Sequence, residues 1–119
     1  MTAQQISFVK NSLQAAVSAG ASFNMNPTVI LAQAAFESGW GMSKLATGSN
    51  NYFGLTAYGC SNQYWHGGKT TVNTGSYSLD FRRYDTRENS FLDFARLIRN
   101  NYRTAWQASN NPEAYAHEI

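Results

Sequence analysis

The stretch Pro27–Gly41, PTVILAQAAFESGWG, decides the fold of this chain. Gln33 is the only polar residue among positions 29–36, and a helix that is apolar on nearly every side is expected to be buried. Asn26 precedes the run as a suitable N-cap, and the proline that follows fits the first turn of a helix. We therefore expect a buried helix against which the rest of the chain packs.

One carboxylate, Glu37, stands near the C-terminal end of this helix, where Gly39 and Gly41 should stop it. The negative end of the helix dipole and apolar neighbours would both disfavour its ionised form. A carboxylic acid that stays protonated near neutral pH suits general acid chemistry. The alternative is a surface glutamate in the last turn, near Lys44.

The composition indicates a single globular domain over residues 1–119. Hydrophobic residues make up 43% of the chain and charged residues 13%, which argues against a disordered tail or a coiled coil. The net charge of +2 is too small to indicate a nucleic-acid partner. No apolar run is long enough to span a membrane. We expect a monomer that neither binds nucleic acid nor inserts into a membrane.

Cysteine and histidine are scarce. Cys60 is the only cysteine, so no internal disulfide is possible. His66 and His117 are too few and too far apart to indicate a zinc site. We therefore predict no metal and no cofactor.

The first helix is predicted from Thr2 to Ser18, with Thr2 as its cap and Gly20 as its end. Its apolar residues recur at helical spacing and should form one stripe facing the core. The members of this stripe are Ile6, Val9, Leu13, Ala16 and Val17.

A small β lobe is predicted after the buried helix. Positions 69–73 are β-prone, Asn73-Thr74-Gly75 is a turn signal, and positions 76–84 alternate weakly between apolar and polar residues. The lobe has too few aliphatic residues for a core of its own. We expect a short hairpin that leans on the helical body and forms one wall of a groove.

Helices follow the β lobe. Asp85 should cap the first of these helices, with the side chain of Glu88 reaching back to the cap. The apolar stripe of this helix runs to about Asn100. A further helical stretch contains Trp106, and Pro112 should open a last helix. The expected fold class is therefore α+β, mainly α.

At FESGWG, followed by NNYFGL, the chain resembles the glucosaminidases of glycoside hydrolase family 73, which include the flagellar rod hydrolase and many autolysins and phage lysins. The matching segments occur in the family's order and are AQAAFESGWG, Asn51–Leu55, Trp65, Gly67–Gly68 and FRRYDTRENSFLDFARLI. The resemblance extends from about Ile6 to Ile119. It implies a lysozyme-like fold and cleavage of bacterial peptidoglycan after N-acetylglucosamine, with Glu37 as the general acid.

Two features of the family are not matched. Many members carry a second glutamate on the β lobe, whereas the equivalent stretch here, 69–75, contains no acid. Members also continue with a Gly-Tyr-Ala-Thr-Asp-Pro segment, whereas this chain ends with AYAHEI at 114–119. Either the domain is truncated there or its end is divergent, so neither the second acid nor that tyrosine is carried over.

Glycoside cleavage needs a proton on the leaving oxygen and stabilisation of an oxocarbenium-like centre. Glu37 would supply the proton, and Asp80 is the candidate partner because it lies nearest the expected groove. Asp85 and Glu88 are better explained as capping groups, and Asp93 as a residue on a helix surface. Without a partner carboxylate, the substrate's own 2-acetamido oxygen or a water molecule would attack.

Aromatic rings stack on the apolar faces of sugars. The candidate substrate-binding residues are Trp40, Asn51, Tyr52, Phe53, Tyr64 and Trp65. Tyr52 and Trp65 are the stronger candidates, since Trp40 and Phe53 fit the core equally well. Asn51 would bind an acetamido group or stabilise its own loop. Arg82 and Arg83 would neutralise peptide-stem carboxylates or pack on Tyr84.

Two other functions remain open: a muramidase or lytic transglycosylase, and a catalytically impaired peptidoglycan-binding module. The expected substrate lies outside the cytoplasm, yet the N-terminus MTAQQISFVK shows no Sec-type signal. We therefore expect a periplasmic or extracellular protein exported by a flagellar, phage or toxin-secretion route. In the last case an inhibitor protein would bind the groove at Glu37.

Overall fold

The computed structural model describes residues 1–109, which form a helical body and a small β-hairpin. The elements are α1 (Ala3–Phe23), α2 (Pro27–Ser38), α3 (Lys44–Ser49), β1 (Lys69–Asn73), β2 (Ser78–Arg82), α4 (Arg87–Asn101) and α5 (Arg103–Gln107). The predicted α+β, mainly α class is therefore confirmed. The helix predicted to begin at Pro112 lies outside the described residues.

Helix α2 begins and ends where the sequence predicts. The side chain of Asn26 accepts a hydrogen bond from the backbone N–H of Thr28 at 2.9 Å, and Gly39 ends the helix with φ at 56°. Burial is one-sided, however. The buried residues are Val29, Ile30, Ala34, Ala35 and Ser38. Phe36 is 82% exposed, so the expected burial on every side is wrong, because α1 and α4 cover only one side of α2.

Helix α1 is longer than predicted. Thr2 caps it through a capping box with Gln5, but the helix continues past Gly20 to Phe23. A Cβ atom at Gly20 would lie 2.6 Å from the carbonyl oxygen of Met25. The glycine therefore allows the chain to turn closely into α2 instead of ending α1.

The face that α1 turns to the core also differs from the predicted apolar stripe. Three members of the predicted stripe, Ile6, Leu13 and Val17, are exposed, whereas Ala16 is buried as expected and Val9 is partly buried. The buried residues of α1 are Phe8, Ser12, Ala15, Ala16, Ala19 and Gly20. Small side chains on this face let α1 pack closely against α4 and α2. Spacing and hydrophobicity alone pointed to Ile6, Leu13 and Val17, which lie on the exposed face.

The predicted hairpin is confirmed. Strands β1 and β2 pair antiparallel, with Lys69 opposite Arg82. The hydroxyl groups of Ser49 in α3 and Thr70 in β1 are 2.7 Å apart. This contact ties the hairpin to the helical body, as its low aliphatic content led us to expect.

The start of α4 differs from the prediction. Thr86 is the N-cap, and its hydroxyl accepts a hydrogen bond from the backbone N–H of Asn89 at 3.1 Å. Asp85 instead lies 2.7 Å from a ring nitrogen of His66. The predicted capping box of Asp85 and Glu88 is therefore wrong, because the hydroxyl one residue later satisfies the helix end.

The core lies between α1, α2 and α4 and is largely aromatic where the chain crosses from α3 towards the hairpin. The ring of Phe53 stacks on Phe94 with the centroids 3.9 Å apart. Phe91 meets both Phe53 and Tyr52, at 5.1 and 5.8 Å. This cluster holds the segment before the hairpin against the helical body.

Candidate active site

The end of α2 is a rigid turn. Residues Gly39–Gly41 all have left-handed backbones, with φ of 56°, 58° and 79°. The hydroxyl of Ser38 donates to a carbonyl one turn earlier at 2.6 Å and accepts from the N–H of Gly41 at 2.7 Å. A Cβ atom at Gly41 would lie 2.8 Å from a ring carbon of Phe8, so glycine is needed there. The turn fixes the helix end that carries Glu37.

Glu37 is exposed on the last turn of α2. The side-chain amide of Gln33, one turn earlier, donates a hydrogen bond to Glu37 Oε1 at 3.3 Å. The expectation that apolar neighbours would bury Glu37 is wrong, because α2 turns this face to solvent together with Phe36. An exposed carboxylate on a rigid helix end can be reached by a polymeric substrate.

Asn51 is buried and shapes the turn that leads to the hairpin. Its amide donates to the carbonyls of Leu55 and Arg82 at 3.0 and 2.9 Å. Its side-chain oxygen accepts from the N–H groups of Phe53 and Leu55 at 3.4 and 3.2 Å. Of the two roles predicted for Asn51, these contacts account for the one that stabilises its loop.

Tyr52, Phe53 and Trp65 are also buried. The indole N–H of Trp65 donates to the carbonyl of Gly68 at 2.8 Å, and the Arg82 guanidinium lies 4.1 Å from its ring centroid. Burial raises the pKa of the Tyr52 hydroxyl. A ring must have an exposed face to stack on a sugar, and the side chains of these three residues are buried in this structure.

Trp40 and Tyr64 are half-buried and keep part of their rings accessible. Trp40 meets Phe8 edge-on, with the ring centroids 6.1 Å apart. Tyr64 meets Phe23 in the same way, also at 6.1 Å. Of the predicted aromatic candidates, these two retain a surface that a sugar could contact.

Asp80 lies within β2, paired with Thr71 of β1. Its carboxylate is exposed and accepts a hydrogen bond from the Thr71 hydroxyl at 2.7 Å. The backbone carbonyl of Asp80 also accepts from Ala57 at 2.9 Å. Asp80 is therefore accessible, but its described contacts are those of a residue that supports the hairpin.

Asp93, which the sequence places on a helix surface, is fully buried, so that prediction is wrong. Its carboxylate is a hub of hydrogen bonds. The donors are Arg82 Nη1 at 2.6 Å, the Tyr84 hydroxyl at 2.5 Å, Asn62 Nδ2 at 3.1 Å and Arg96 Nε at 3.1 Å. The hub joins β2, the loop before β1 and α4.

The buried carboxylate of Asp93 also affects the protonation of its neighbour Tyr84. Burial, followed by the charge of Asp93, raises the pKa of the Tyr84 hydroxyl, which therefore stays protonated as a donor. The signal that could have revealed Asp93 is its place in Phe91-Leu92-Asp93-Phe94-Ala95, an acid inside an apolar run. Such a residue is buried only where partners satisfy its charge.

Within residues 1–109, no His, Cys, Asp and Glu side chains gather in a group of three or more that could hold a metal ion. Among the described helices, none combines the length and the apolar character needed to cross a membrane.

The helical body and the small hairpin define a lysozyme-like domain, and Glu37 lies exposed at the rigid end of its helix α2. The chain belongs to the glucosaminidase family, since the family model described as mannosyl-glycoprotein endo-beta-N-acetylglucosaminidase matches residues 13–119. The family predicted from FESGWG and NNYFGL is thereby confirmed.

Curated relatives agree with this assignment. The peptidoglycan hydrolase FlgJ of Vibrio parahaemolyticus is 31% identical over 126 residues, which cover 95% of this chain and 40% of the relative. A putative endo-beta-N-acetylglucosaminidase of Streptococcus pneumoniae is 32% identical over 80 residues, which cover 67% of this chain and 10% of the relative. The chain thus spans less than half the length of these relatives.

Solved structures match the fold. The glycoside hydrolase domain of Salmonella typhimurium FlgJ has a TM-score of 0.76 at 28% identity, covering 96% of this chain and 73% of that one. The catalytic domain of the Listeria monocytogenes autolysin Auto has a TM-score of 0.74 at 26% identity, covering 99% and 73%. A type VI secretion effector–immunity complex from Pseudomonas protegens matches at 0.75 and 18% identity, covering 98% and 74%, which shows the fold alone.

Proposed function

We propose that this chain is a peptidoglycan hydrolase that cleaves the β-1,4 bond after N-acetylglucosamine, with Glu37 as the general acid. One observation carries the proposal: Glu37 is the exposed carboxylate on the rigid end of α2 in a chain of the glucosaminidase family. The relatives named peptidoglycan hydrolases support the choice of polymer.

In this proposal the protonated Glu37 donates to the glycosidic oxygen as the bond breaks. General acid catalysis of this kind contributes about 10²–10⁴-fold. Gln33 holds one oxygen of the carboxylate through its amide, which limits the rotamers that Glu37 samples. The turn Gly39–Gly41 prevents the helix end from fraying and so keeps the acid in place.

The positive charge that develops on the sugar needs a second group. We propose that the substrate's own acetamido oxygen or a water molecule attacks, because the stretch 69–75 contains no acid and the described contacts of Asp80, the candidate partner, are those of a residue that supports the hairpin. NMR of the first product anomers tests this step. A β product supports attack by the acetamido oxygen, and an α product supports direct attack by water.

An Asp80→Asn variant separates the remaining mechanisms. Loss of less than about threefold in kcat, as expected of an exposed surface acid, would leave water or the acetamido group as the attacking species. A loss of about 10²-fold or more would show that Asp80 is the second catalytic carboxylate after all.

Mass spectrometry of the released fragments tests which bond is cleaved. Wild-type protein should release fragments with reducing N-acetylglucosamine ends, and Glu37→Gln protein should release none. Reducing or anhydro-muramic acid ends would instead identify a muramidase or a lytic transglycosylase. Binding to cell walls without any release by the wild type would identify a binding module.

We also propose that the protein acts in the periplasm or outside the cell, where peptidoglycan lies. Export would follow a flagellar, phage or toxin-secretion route. If the route is toxin secretion, an inhibitor protein should cover Glu37. Fractionation of cells that express the native gene tests the location, and recovery of active enzyme in the cytosol alone would contradict it.

A further inference from the structure

A pocket of about 620 Å³ lies between the loop that precedes the hairpin and the second half of α4. We call it the arginine pocket, and its wall includes Tyr58, Ser61, Arg82, Arg96, Asn101 and Tyr102. Its volume is within the range of sites that bind small ligands. Glu37 is not among its lining residues.

The part of the pocket wall formed by the described residues carries a net positive charge. Both of its arginines contact the buried carboxylate of Asp93, at 2.6 Å for Arg82 and 3.1 Å for Arg96. Two guanidinium groups share one carboxylate, so one positive charge is left over. Among residues 1–109, no acidic side chain lines the pocket. The wall therefore favours an anion over a neutral sugar.

Arg82 forms a fixed floor. Its Nε donates to the carbonyl of Thr56 at 3.2 Å and its Nη2 to the carbonyl of Tyr58 at 2.6 Å. Its guanidinium also lies over the ring of Trp65. Because its donors are engaged in this way, Arg82 contributes positive charge but cannot reorient towards a ligand.

Arg96 is the residue that can bind directly. Its side chain is 27% exposed, and its Nε and Nη2 face Asp93. Its Nη1 has no acceptor among residues 1–109. A guanidinium held on one edge by a buried carboxylate presents its other edge in a fixed direction, which suits a second carboxylate.

The rim of the pocket adds groups that suit a peptide. Tyr58 and Tyr102 are 73% and 47% exposed, and rings at a pocket mouth pack against the aliphatic parts of a bound chain. Ser61 and Asn101 are exposed and can bond to backbone amides. The combination fits a short anionic peptide better than a glycan alone.

We propose that the arginine pocket binds a carboxylate of the peptide stems of peptidoglycan, with Arg96 as the direct contact. The proposal rests on the function proposed above, because it assumes that the substrate is a glycan that carries such stems. It makes the pocket a determinant of which peptidoglycan the enzyme prefers.

The test compares two substrates: intact peptidoglycan and the same glycan after an amidase has removed its stems. Arg96→Gln should lower kcat/KM on intact peptidoglycan about tenfold, as expected for loss of a charge-assisted hydrogen bond. It should leave kcat/KM on the stripped glycan unchanged, and high salt should narrow the gap between variant and wild type. Equal losses on both substrates, or no loss on either, would overturn the proposal.

Matched controls separate binding from folding. Arg99→Gln removes the same charge one turn away on the exposed face of α4, outside the pocket, and should not change the ratio between substrates. Tyr58→Ala alters the rim without touching the Asp93 hub and should also weaken cleavage of intact peptidoglycan selectively. Unfolding temperatures of all three variants identify any loss that comes from the fold.

A binding measurement keeps this proposal separate from the proposed activity. The probe is an N-acetylmuramyl tripeptide, and calorimetry follows its binding to Glu37→Gln protein with and without Arg96→Gln. Binding that depends on Arg96 would support the pocket even if the wild type cleaved nothing. Binding that is equal in both proteins would overturn the pocket even if the enzyme were active.

Discussion

Glu37 and Asp93 are two helix carboxylates with opposite surroundings. Glu37 is exposed and has Gln33 as its described hydrogen-bond donor. Asp93 is fully buried and accepts hydrogen bonds from side chains of the hairpin, the loop before it and α4. A carboxylate whose oxygens are all engaged cannot exchange protons with a substrate, whereas an exposed one can. Glu37 therefore has the exposure that the proposed general acid needs, whereas the contacts of Asp93 serve the fold.

The difference also shows how each region tolerates change. The end of α2 can lose the charge of Glu37 without leaving a buried partner unpaired. The hub cannot lose the charge of Asp93, because Arg82 would remain buried without its counter-ion. Mutations at the two sites should therefore affect different observables, activity in one case and stability in the other.

The largest expected effect is on catalysis. Glu37→Gln should lower kcat on peptidoglycan by about 10³-fold, since the amide cannot donate a proton to the leaving oxygen. The unfolding temperature should stay within about 2 °C of the wild type, because an exposed side chain is replaced by one of the same shape. Turbidity clearing of cell walls and calorimetry measure the two quantities. A stability loss as large as that expected for Asp93→Asn would remove the contrast between the two sites.

The next effect is on stability. Asp93→Asn should lower the free energy of unfolding by about 3–5 kcal/mol, because it leaves the buried Arg82 guanidinium uncompensated. For a domain of this size the unfolding temperature should fall by roughly 10 °C or more. Asp80→Asn is the matched control, since it removes an exposed carboxylate with one side-chain donor. A similar loss in the control would show that charge alone, and not burial, decides the result.

The sequence alone predicts only part of the contrast between the two acids. The caps of α2 and the hairpin were predictable, because they depend on local signals at Asn26, Gly39 and the turn after Asn73. The family could be identified from the motif around Glu37. These features need no knowledge of what lies across the core.

Burial was the part that local patterns misjudged. Ile6, Leu13 and Val17 have helical spacing but lie on the exposed face of α1, because close packing against α4 selects small residues. Asp93 looks like a surface acid until Arg82 is known to lie beside it. Which face of a helix is covered depends on partners distant in the chain, and single-sequence periodicity does not name them.

A smaller effect on catalysis is expected one turn before the acid. Gln33→Met keeps the length of the side chain but removes the amide that donates to Glu37. Loss of a hydrogen bond worth about 1 kcal/mol should lower kcat roughly fivefold. The KM for peptidoglycan should not change, because Gln33 orients the acid and is not proposed to bind the polymer.

The matched substitution for this test is Gln14→Met. Its amide also donates to a side chain one turn away, Ser18 at 3.4 Å, but on α1 and far along the chain from Glu37. It should leave kcat unchanged. If Gln33→Met changes KM and not kcat, then Gln33 contacts the substrate and the positioning role is wrong.

The smallest expected effect is on the dependence of stability on pH. Nδ1 of His66 lies 2.7 Å from the Asp85 carboxylate, and Nε2 lies 3.1 Å from the carbonyl of Gln63. Both neighbours are acceptors, so only the doubly protonated ring donates to both. The hydrogen bond to Asp85, followed by the one to Gln63, raises the pKa of His66 above its ordinary value.

A raised folded-state pKa means that the contact stabilises the fold fully below the unfolded pKa of about 6.5 and is lost as the pH rises through the folded value. The wild type should therefore unfold about 1 °C above His66→Gln at pH 5.5, and the difference should vanish by about pH 8.5, since exposed pairs contribute little. Calorimetry across this range measures it. A difference that does not change with pH would show that His66 holds the loop by packing, not by charge.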